Sequence, residues 1–306
     1  DKWVARYSGR GVAPCDFDGD GRLDLYVTNY SLHPNALYSE TGTGLRNIAW
    51  ETDTAGVPSE NAVETYYAHS IGACWADLDG DCRPDLLAPN FAHPRVINIS
   101  DRSWIYFNSS EPGKPAFKGS RMIPFYETLT SPAAADFDGD GDMDFFLSAT
   151  YADRPSHLFR NTLAESGNLA FNDIVYASGA LVYNGWGCVW RDYDGNGTPD
   201  LFATGDGKLV VLKNPVRANF VRVRIAEPGV GFGAWVTVES GGKKRTYCLN
   251  GAKGSGDQEP MEVCAGLGAS TSADRVTISF AGKTATKENI PAGSTVTFSL
   301  SELKAR

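Results

Sequence analysis

Four short runs of the chain place acidic residues at alternate positions: Asp16, Asp18 and Asp20; Asp77, Asp79 and Asp81; Asp136, Asp138 and Asp140; and Asp192 and Asp194 with Asn196. Each run gains a further Asp at its ninth position: Asp24, Asp85, Asp144 and Asp200. Side chains at positions 1, 3, 5 and 9 of a tight loop converge on one point. The chemistry that suits such a point is a hard cation, since Ca²⁺ takes about six to eight oxygen ligands at about 2.3–2.6 Å. The spacing therefore predicts one Ca²⁺ per loop, about four ions in all. In the fourth loop the Asn196 amide oxygen replaces a carboxylate. Backbone carbonyls at position 7, from Arg22, Arg83, Asp142 and Thr198, complete the expected set.

Gly19, Gly80, Gly139 and Gly195 at position 4 permit a sharp turn around an ion. Gly recurs at position 6 except where Cys82 stands in the second loop. Position 2 is large in every copy (Phe17, Leu78, Phe137, Tyr193) and is expected to anchor the loop on a core. An EF-hand is excluded, because it needs a bidentate Glu at position 12 and flanking helices. Position 12 is Val27, Ala88, Leu147 or Ala203. A single such run is compatible with a solvated acidic turn, though a metal loop is the better reading; four at near-constant spacing are not.

The elements that must hold these loops are strands. The first Asp residues are 61, 59 and 56 residues apart, enough for four short strands and their turns. Short apolar runs precede each loop (Gly11–Cys15, Ile71–Ala76, Pro132–Ala135, Gly185–Arg191) and follow it (Leu25–Val27, Leu86–Ala88, Phe145–Leu147, Leu201–Ala203). A third run follows in every repeat, and a fourth closes the first three. The fourth repeat stops at Asn214–Pro215 without its last strand. Trp3–Tyr7 is expected either to supply that strand and close a ring or to complete a neighbouring molecule in a head-to-tail polymer. From about Val216 the Asp loops cease. Alternation in VRVRI (221–225) and WVTVE (235–239) predicts half-buried antiparallel strands of a separate small domain. The expected fold is all-β: a β-propeller of four Ca-loop repeats over residues 1–215 and a C-terminal β-sandwich or barrel over 216–306.

The loop motif followed by an apolar strand resembles the FG-GAP/VCBS repeats of integrin-type β-propellers, over roughly residues 1–213. The tail resembles the ASPIC/UnbV domain through Asn219-Phe220-Val221, Gly231-Phe232-Gly233-Ala234-Trp235-Val236, Gly266-Leu267-Gly268 and Val276-Thr277-Ile278-Ser279-Phe280. Together the chain is similar to the secreted cartilage-acidic-protein-like group. The resemblance implies Ca²⁺ binding, secretion, and adhesion or matrix interaction. It implies no defined catalytic activity. Four repeats are fewer than such propellers commonly carry.

Composition narrows the function classes. Net charge is −9, but the loops hold 16 of the 37 acidic residues, so the acidity reflects metal sites rather than a repulsive surface. No basic run suits nucleic acid, and no stretch approaches the roughly 18 apolar residues of a membrane helix. The chain begins at Asp1 without a leader pattern, as expected if a signal peptide has been removed or if it belongs to a longer product. Six cysteines fit an oxidising compartment. They allow 15 connectivities. Cys248–Cys264, on neighbouring predicted strands, is the leading pair; Cys74–Cys82 and Cys15–Cys188 follow, and free buried thiols remain the alternative.

His33, His69, His93 and His157 form no metal-ligand spacing, and no nucleophile, P-loop or HExxH motif occurs. Trp75 and Trp190, each two residues before a first loop Asp, are expected at equivalent core positions. Tyr66, Tyr67 and His69 read as a surface loop or a glycan pocket. Asn29, Asn98 and Asn108 head glycosylation sequons, as does the expected ligand Asn196. The expected function is a secreted, non-enzymatic, Ca²⁺-stabilised protein of adhesion or extracellular assembly. Its partners would be an extracellular protein, a glycan or further copies of itself. A lectin-like glycan binder and an enzyme using the propeller as a scaffold are the alternatives.

Overall fold

The computed structural model describes residues 7–60, 65–123, 128–254 and 257–305. The first blade is an antiparallel meander of β1 (Ser8–Cys15), β2 (Asp24–Tyr30), β3 (Ala36–Glu40) and β4 (Leu45–Asn47). A short hairpin, β5 (Ser59–Glu60) and β6 (Thr65–Tyr66), leads to the second blade. That blade is β7 (Cys74–Ala76), β8 (Asp85–Ala88), β9 (Trp104–Asn108) and β10 (Phe117–Met122). The third is β11 (Leu129–Ala135), β12 (Asp144–Ala149), β13 (His157–Asn161) and β14 (Phe171–Asp173), with one-turn helices α1 (Leu163–Ser166) and α2 (Val175–Ser178). The fourth has β15 (Cys188–Arg191), β16 (Asp200–Gly205) and β17 (Lys208–Leu212).

Every Asp loop thus joins the first strand of a blade to the second, and the ninth-position Asp is the first residue of that second strand. The first strands pack side by side, β1 beside β7, β7 beside β11, and β11 beside β15. Small residues on or just before the first three of these strands are buried where the strands converge: Ala13, Ala73 and Ala133. The expected closing strand Trp3–Tyr7 falls, up to residue 6, outside the described residues. Among the described residues β17 pairs only with β16, and Leu209 on it is 68% exposed.

The tail forms two sheets, β21–β18–β24 and β20–β19–β22–β23–β25. Their strands are β18 (Asn219–Ile225), β19 (Trp235–Ser240), β20 (Lys243–Cys248), β21 (Glu262–Gly268), β22 (Ser272–Phe280), β23 (Lys283–Pro291), β24 (Ser294–Phe298) and β25 (Lys304–Ala305). The alternation holds, with Val221, Val223, Val236 and Val238 fully buried. One pairing departs from expectation: β18 and β24 run parallel. Nor is the core separate. One hydrophobic cluster runs from Leu78, Leu87, Met143 and Phe145 in the blades to Val236, Tyr247 and Ile278 in the tail.

The tail also reaches the blade axis. Lys253 is fully buried there, its Nζ 3.0 Å from the Pro132 carbonyl and 3.0 Å from Glu259, with Asp257 at 3.5 Å. Its own carbonyl accepts from Ala73 N–H at 2.7 Å. A buried ammonium needs such partners, because leaving it unpaired costs several kcal/mol.

Candidate metal centres

Each loop turns on the left-handed backbone its glycine allows: φ is +70° at Gly19, +74° at Gly80, +77° at Gly139 and +75° at Gly195. Cys82 takes φ +68° where the other loops have Gly, and its Sγ donates to the Lys244 carbonyl at 3.6 Å. Position 1 accepts the position-6 N–H in three loops: Gly21 to Asp16 (3.0 Å), Cys82 to Asp77 (3.0 Å) and Gly197 to Asp192 (3.1 Å). The ninth-position Asp spans the blade. Asp85 accepts from Leu78 N–H (2.9 Å) and Asn108 N–H (2.8 Å), Asp144 from Phe137 (3.2 Å) and Asn161 (2.8 Å), and Asp200 from Tyr193 (2.9 Å) and Asn214 (2.7 Å).

With the backbone so fixed, the carboxylates of positions 1, 3 and 9 come within 4.8 Å of one another in all four loops: Asp16, Asp18 and Asp24; Asp77, Asp79 and Asp85; Asp136, Asp138 and Asp144; Asp192, Asp194 and Asp200. The position-5 residues Asp20 and Asp81 stand outside these groups, and Asp140 comes together with Asp138 and Glu165 instead; one oxygen of each position-5 residue, Asn196 included, accepts the position-7 N–H at 2.8–3.0 Å.

Residues 16–88 match the model of an FG-GAP-like repeat, residues 128–169 that of an FG-GAP repeat, and residues 226–305 that of the ASPIC and UnbV family. The chain carries FG-GAP repeats followed by an ASPIC/UnbV domain. It is similar to cartilage acidic protein 1 of Mus musculus, 28% identical over 228 residues, which is 71% of this chain and 32% of that protein. The proteins of the same name from Xenopus tropicalis (24% over 238 residues, 74% and 34%) and Homo sapiens (25% over 228 residues, 71% and 31%) match as well. The chain spans about a third of the length of these relatives.

In the first three FG-GAP loops the grouped carboxylates are short of partners. Asp16 Oδ1, Asp24 Oδ2, Asp77 Oδ1 and both oxygens of Asp136 are buried without a hydrogen bond. Burial, with the neighbouring aspartates adding, raises Asp16 to about 6, Asp77 to about 7 and Asp136 to about 8. Burial raises Asp24 to about 8 and puts Asp85 and Asp144 well above the carboxylate range. Oxygen-only donors that converge, with buried oxygens left without a hydrogen bond, fit a divalent hard cation.

In the second and third loops a cation reaches the third position, Lys118 at Asp79 and Arg160 at Asp138; the fourth loop has one at its first position as well. The Arg222 guanidinium, from the ASPIC/UnbV domain, pairs with Asp192. Lys213 Nζ lies 2.8 Å from Asp194 and, through that hydrogen bond, holds its carboxyl below the usual range. Tyr193 here is 74% exposed rather than an anchor, whereas Phe17 and Leu78 are fully buried. Phe17 stacks on Trp75 and Phe117, and Phe137 on Trp190, rings of the following repeat; among the described residues no following repeat offers such a ring to Tyr193.

The ASPIC/UnbV domain sits on the loops. The Trp235 ring packs near Gly19, Gly282 abuts Gly21, Arg245 donates to the Asp140 carbonyl at 3.2 Å, and Ala218 and Phe220 cover Gly197. Sequence reading missed this, and it missed a chain of asparagines. Asn108 and Asn161 end the third strands β9 and β13, Asn214 follows β17 by two residues, and they donate to the carbonyls of Phe17 (2.8 Å), Leu78 (2.9 Å) and Phe137 (2.6 Å), each in the preceding repeat's loop. The signal is an Asn at or just after the third strand of the second, third and fourth repeats. It was read instead as a sequon at Asn108, which is fully buried with its amide committed; Asn29 likewise is buried and donates to the Pro34 carbonyl at 2.7 Å. Asn98 is exposed.

Trp75 and Trp190 do occupy equivalent sites, their Nε1 donating to Ala13 and Ala133 carbonyls at 3.1 Å each. The cysteine pairings differ from expectation. Cys248 and Cys264 lie on strands of different sheets, and Cys264 Sγ faces the Gly197 carbonyl at 3.8 Å. Cys188 Sγ faces the Ser131 carbonyl at 3.5 Å, and Cys82 the Lys244 carbonyl noted above.

Proposed function

We propose that the four FG-GAP loops each hold one Ca²⁺ as a structural clamp, in an extracellular, non-enzymatic protein of adhesion or assembly. The carrying observation is the recurrence of three convergent carboxylates within 4.8 Å, with buried oxygens left unpartnered in the first three loops. The ligands would be Asp16, Asp18, Asp20 and Asp24 in the first loop; Asp77, Asp79, Asp81 and Asp85 in the second; Asp136, Asp138, Asp140 and Asp144 in the third; and Asp192, Asp194, Asn196 and Asp200 in the fourth. The carbonyls of Arg22, Arg83, Asp142 and Thr198 would complete them. A bound cation would offset the mutual repulsion of these groups and fix the surface on which the ASPIC/UnbV domain rests. Similarity to proteins named for cartilage supports the extracellular setting. The outer edge of β17, which pairs with no strand among the described residues and leaves Leu209 exposed, supports assembly by strand addition from another copy or partner. Equilibrium dialysis against buffered Ca²⁺, read by elemental analysis, is expected to find close to one ion per loop. Protein that retains no Ca²⁺ at millimolar free ion would overturn the reading.

A second reading, glycan binding, draws on the opposite ends of the same strands. There Phe91 is the hub of a ring cluster with Tyr30, His69, His93, Tyr151 and Trp186, at centroid distances of 5.9–6.4 Å. Trp186 is 51% and Tyr151 38% exposed. Tyr151 holds φ +78°, a strained value for an aromatic residue, fixed by its N–H donating to Asn184 Oδ1 at 3.1 Å. His69 Nδ1 accepts from Ser31 N–H at 3.2 Å, which leaves its Nε2 as a donor. Exposed ring faces beside fixed donors suit the apolar faces and hydroxyls of a sugar. Tyr67 packs instead on Trp50, so the expected cluster with His69 is split. A glycan array probed with wild type and Trp186→Ala decides: binding confined to wild type supports this reading, and no binding by either removes it.

A further inference from the structure

One sulfur pair stands apart from the rest. Cys15 Sγ lies 3.6 Å from Cys248 Sγ, across 233 residues of sequence. It is the one thiol–thiol contact among the described residues. Cys15 ends β1 and is fully buried, and Cys248 ends β20 and is half-buried. Both therefore sit on rigid strands rather than on loops. The backbones are close as well: a Cβ on Gly233, two residues before the Trp235 that pairs with Cys248, would lie 2.9 Å from Cys15 Cα. A disulfide needs about 2.05 Å between sulfurs, so side-chain torsions need to close a gap of about 1.5 Å.

We propose that Cys15 and Cys248 form a disulfide that ties the first FG-GAP repeat to the ASPIC/UnbV domain. The oxidant is a low-molecular-weight disulfide such as oxidised glutathione. The half-buried Cys248 thiol loses its proton and attacks one sulfur of that disulfide, forming a mixed disulfide and releasing one small thiolate. The Cys15 thiol then loses its proton and attacks Cys248 Sγ, which releases the second small thiolate. Two protein thiols are oxidised, one small disulfide is reduced to two thiols, and the two protons leave on them. The remaining four cysteines stay reduced, since Cys82, Cys188 and Cys264 face carbonyls and Cys74 is buried in the hydrophobic cluster. The bond joins the ends of a long loop, so it restricts the unfolded chain strongly. It also holds the domain against the repeats independently of any metal.

The test is a non-reducing peptide map of the whole chain, folded with oxidised and reduced glutathione, then denatured and alkylated. The expected result is one cross-linked peptide pair containing residues 15 and 248, with four alkylated cysteines. Six alkylated cysteines, or a cross-link through any other pair, overturns the proposal. Thermal melts give an independent arm in both Ca²⁺ and chelator. Cys15→Ser, Cys248→Ser and the double variant are expected to melt several degrees below the oxidised wild type and to coincide with the wild type in reductant. An oxidised wild type whose melt is unmoved by reductant overturns it as well.

Discussion

The two ends of the repeat array are built from the same strands and differ in almost every other respect. At one end four loops of near-identical sequence carry buried carboxylates, and the ASPIC/UnbV domain covers them. At the other end the connections are unlike one another and leave Trp186 and Tyr151 open to solvent. The loop end is charged and enclosed, the condition in which an ion contributes most to stability. The ring end is uncharged at its hub and open, the condition in which a partner can reach it. One end is therefore suited to holding the molecule together and the other to meeting something else.

Removing metal is the strongest way to break this division. Exhaustive chelation is expected to lower the melting temperature by more than about 10 °C, because several sites saturated at 100 times their Kd contribute about 2.7 kcal/mol each. Added Ca²⁺ restores the melt; a thermal scan with no change on chelation refutes a structural role for the loops. Next in size is Asp144→Ala, which deletes a fully buried carboxylate that receives Phe137 and Asn161 N–H groups. Its expected cost is about 3 kcal/mol by chemical denaturation in Ca²⁺. Asp194→Ala, at the third position of the fourth loop, is expected to cost far less, since that carboxylate lies at the surface beside Lys213. Equal losses would erase the contrast between the buried and the surface carboxylates.

Asn108→Ala removes the donor to the Phe17 and Pro84 carbonyls and is expected to cost about 2 kcal/mol, measured the same way. At the ring end Trp186→Ala is expected to change stability by no more than about 0.5 kcal/mol while removing any ligand captured there. The smallest effect concerns pH. Burial first, then His93 and His33, lowers His69 to about 4 from its ordinary value near 6.5. The folded state thus binds this proton less readily than the unfolded chain. Its contribution is present above about pH 6.5 and is lost as pH falls toward 4. Wild type minus His69→Gln melting temperatures, taken from pH 7 to 4, are expected to converge; a constant difference argues against a neutral, buried imidazole.

The sequence was most readable where the chemistry is local. An Asp oxygen that accepts an N–H two residues on, a glycine that must take positive φ, and an Asp that opens a strand are fixed by neighbours in the chain. The loops, their strands and the all-β class were therefore legible. The same spacing overreached at Tyr193, which looks like Phe17 in sequence but, among the described residues, has no ring from a following repeat to cover it. It also misled at Asn29 and Asn108, where a surface triplet and a buried staple have the same letters.

What the sequence by itself determined is the repeat: four acidic loops at intervals of 61, 59 and 56 residues, each between two strands of an all-β fold. Only the tertiary structure decided what those loops face. Arg222 reaches Asp192, Arg245 reaches Asp140, Lys253 enters the axis between blades, and Cys15 meets Cys248. These contacts join residues up to 233 positions apart, and nothing in local spacing carries them. They follow from packing, because an apolar face shared between blades and tail draws the domain onto the loops, and the buried charges it covers must then find partners there.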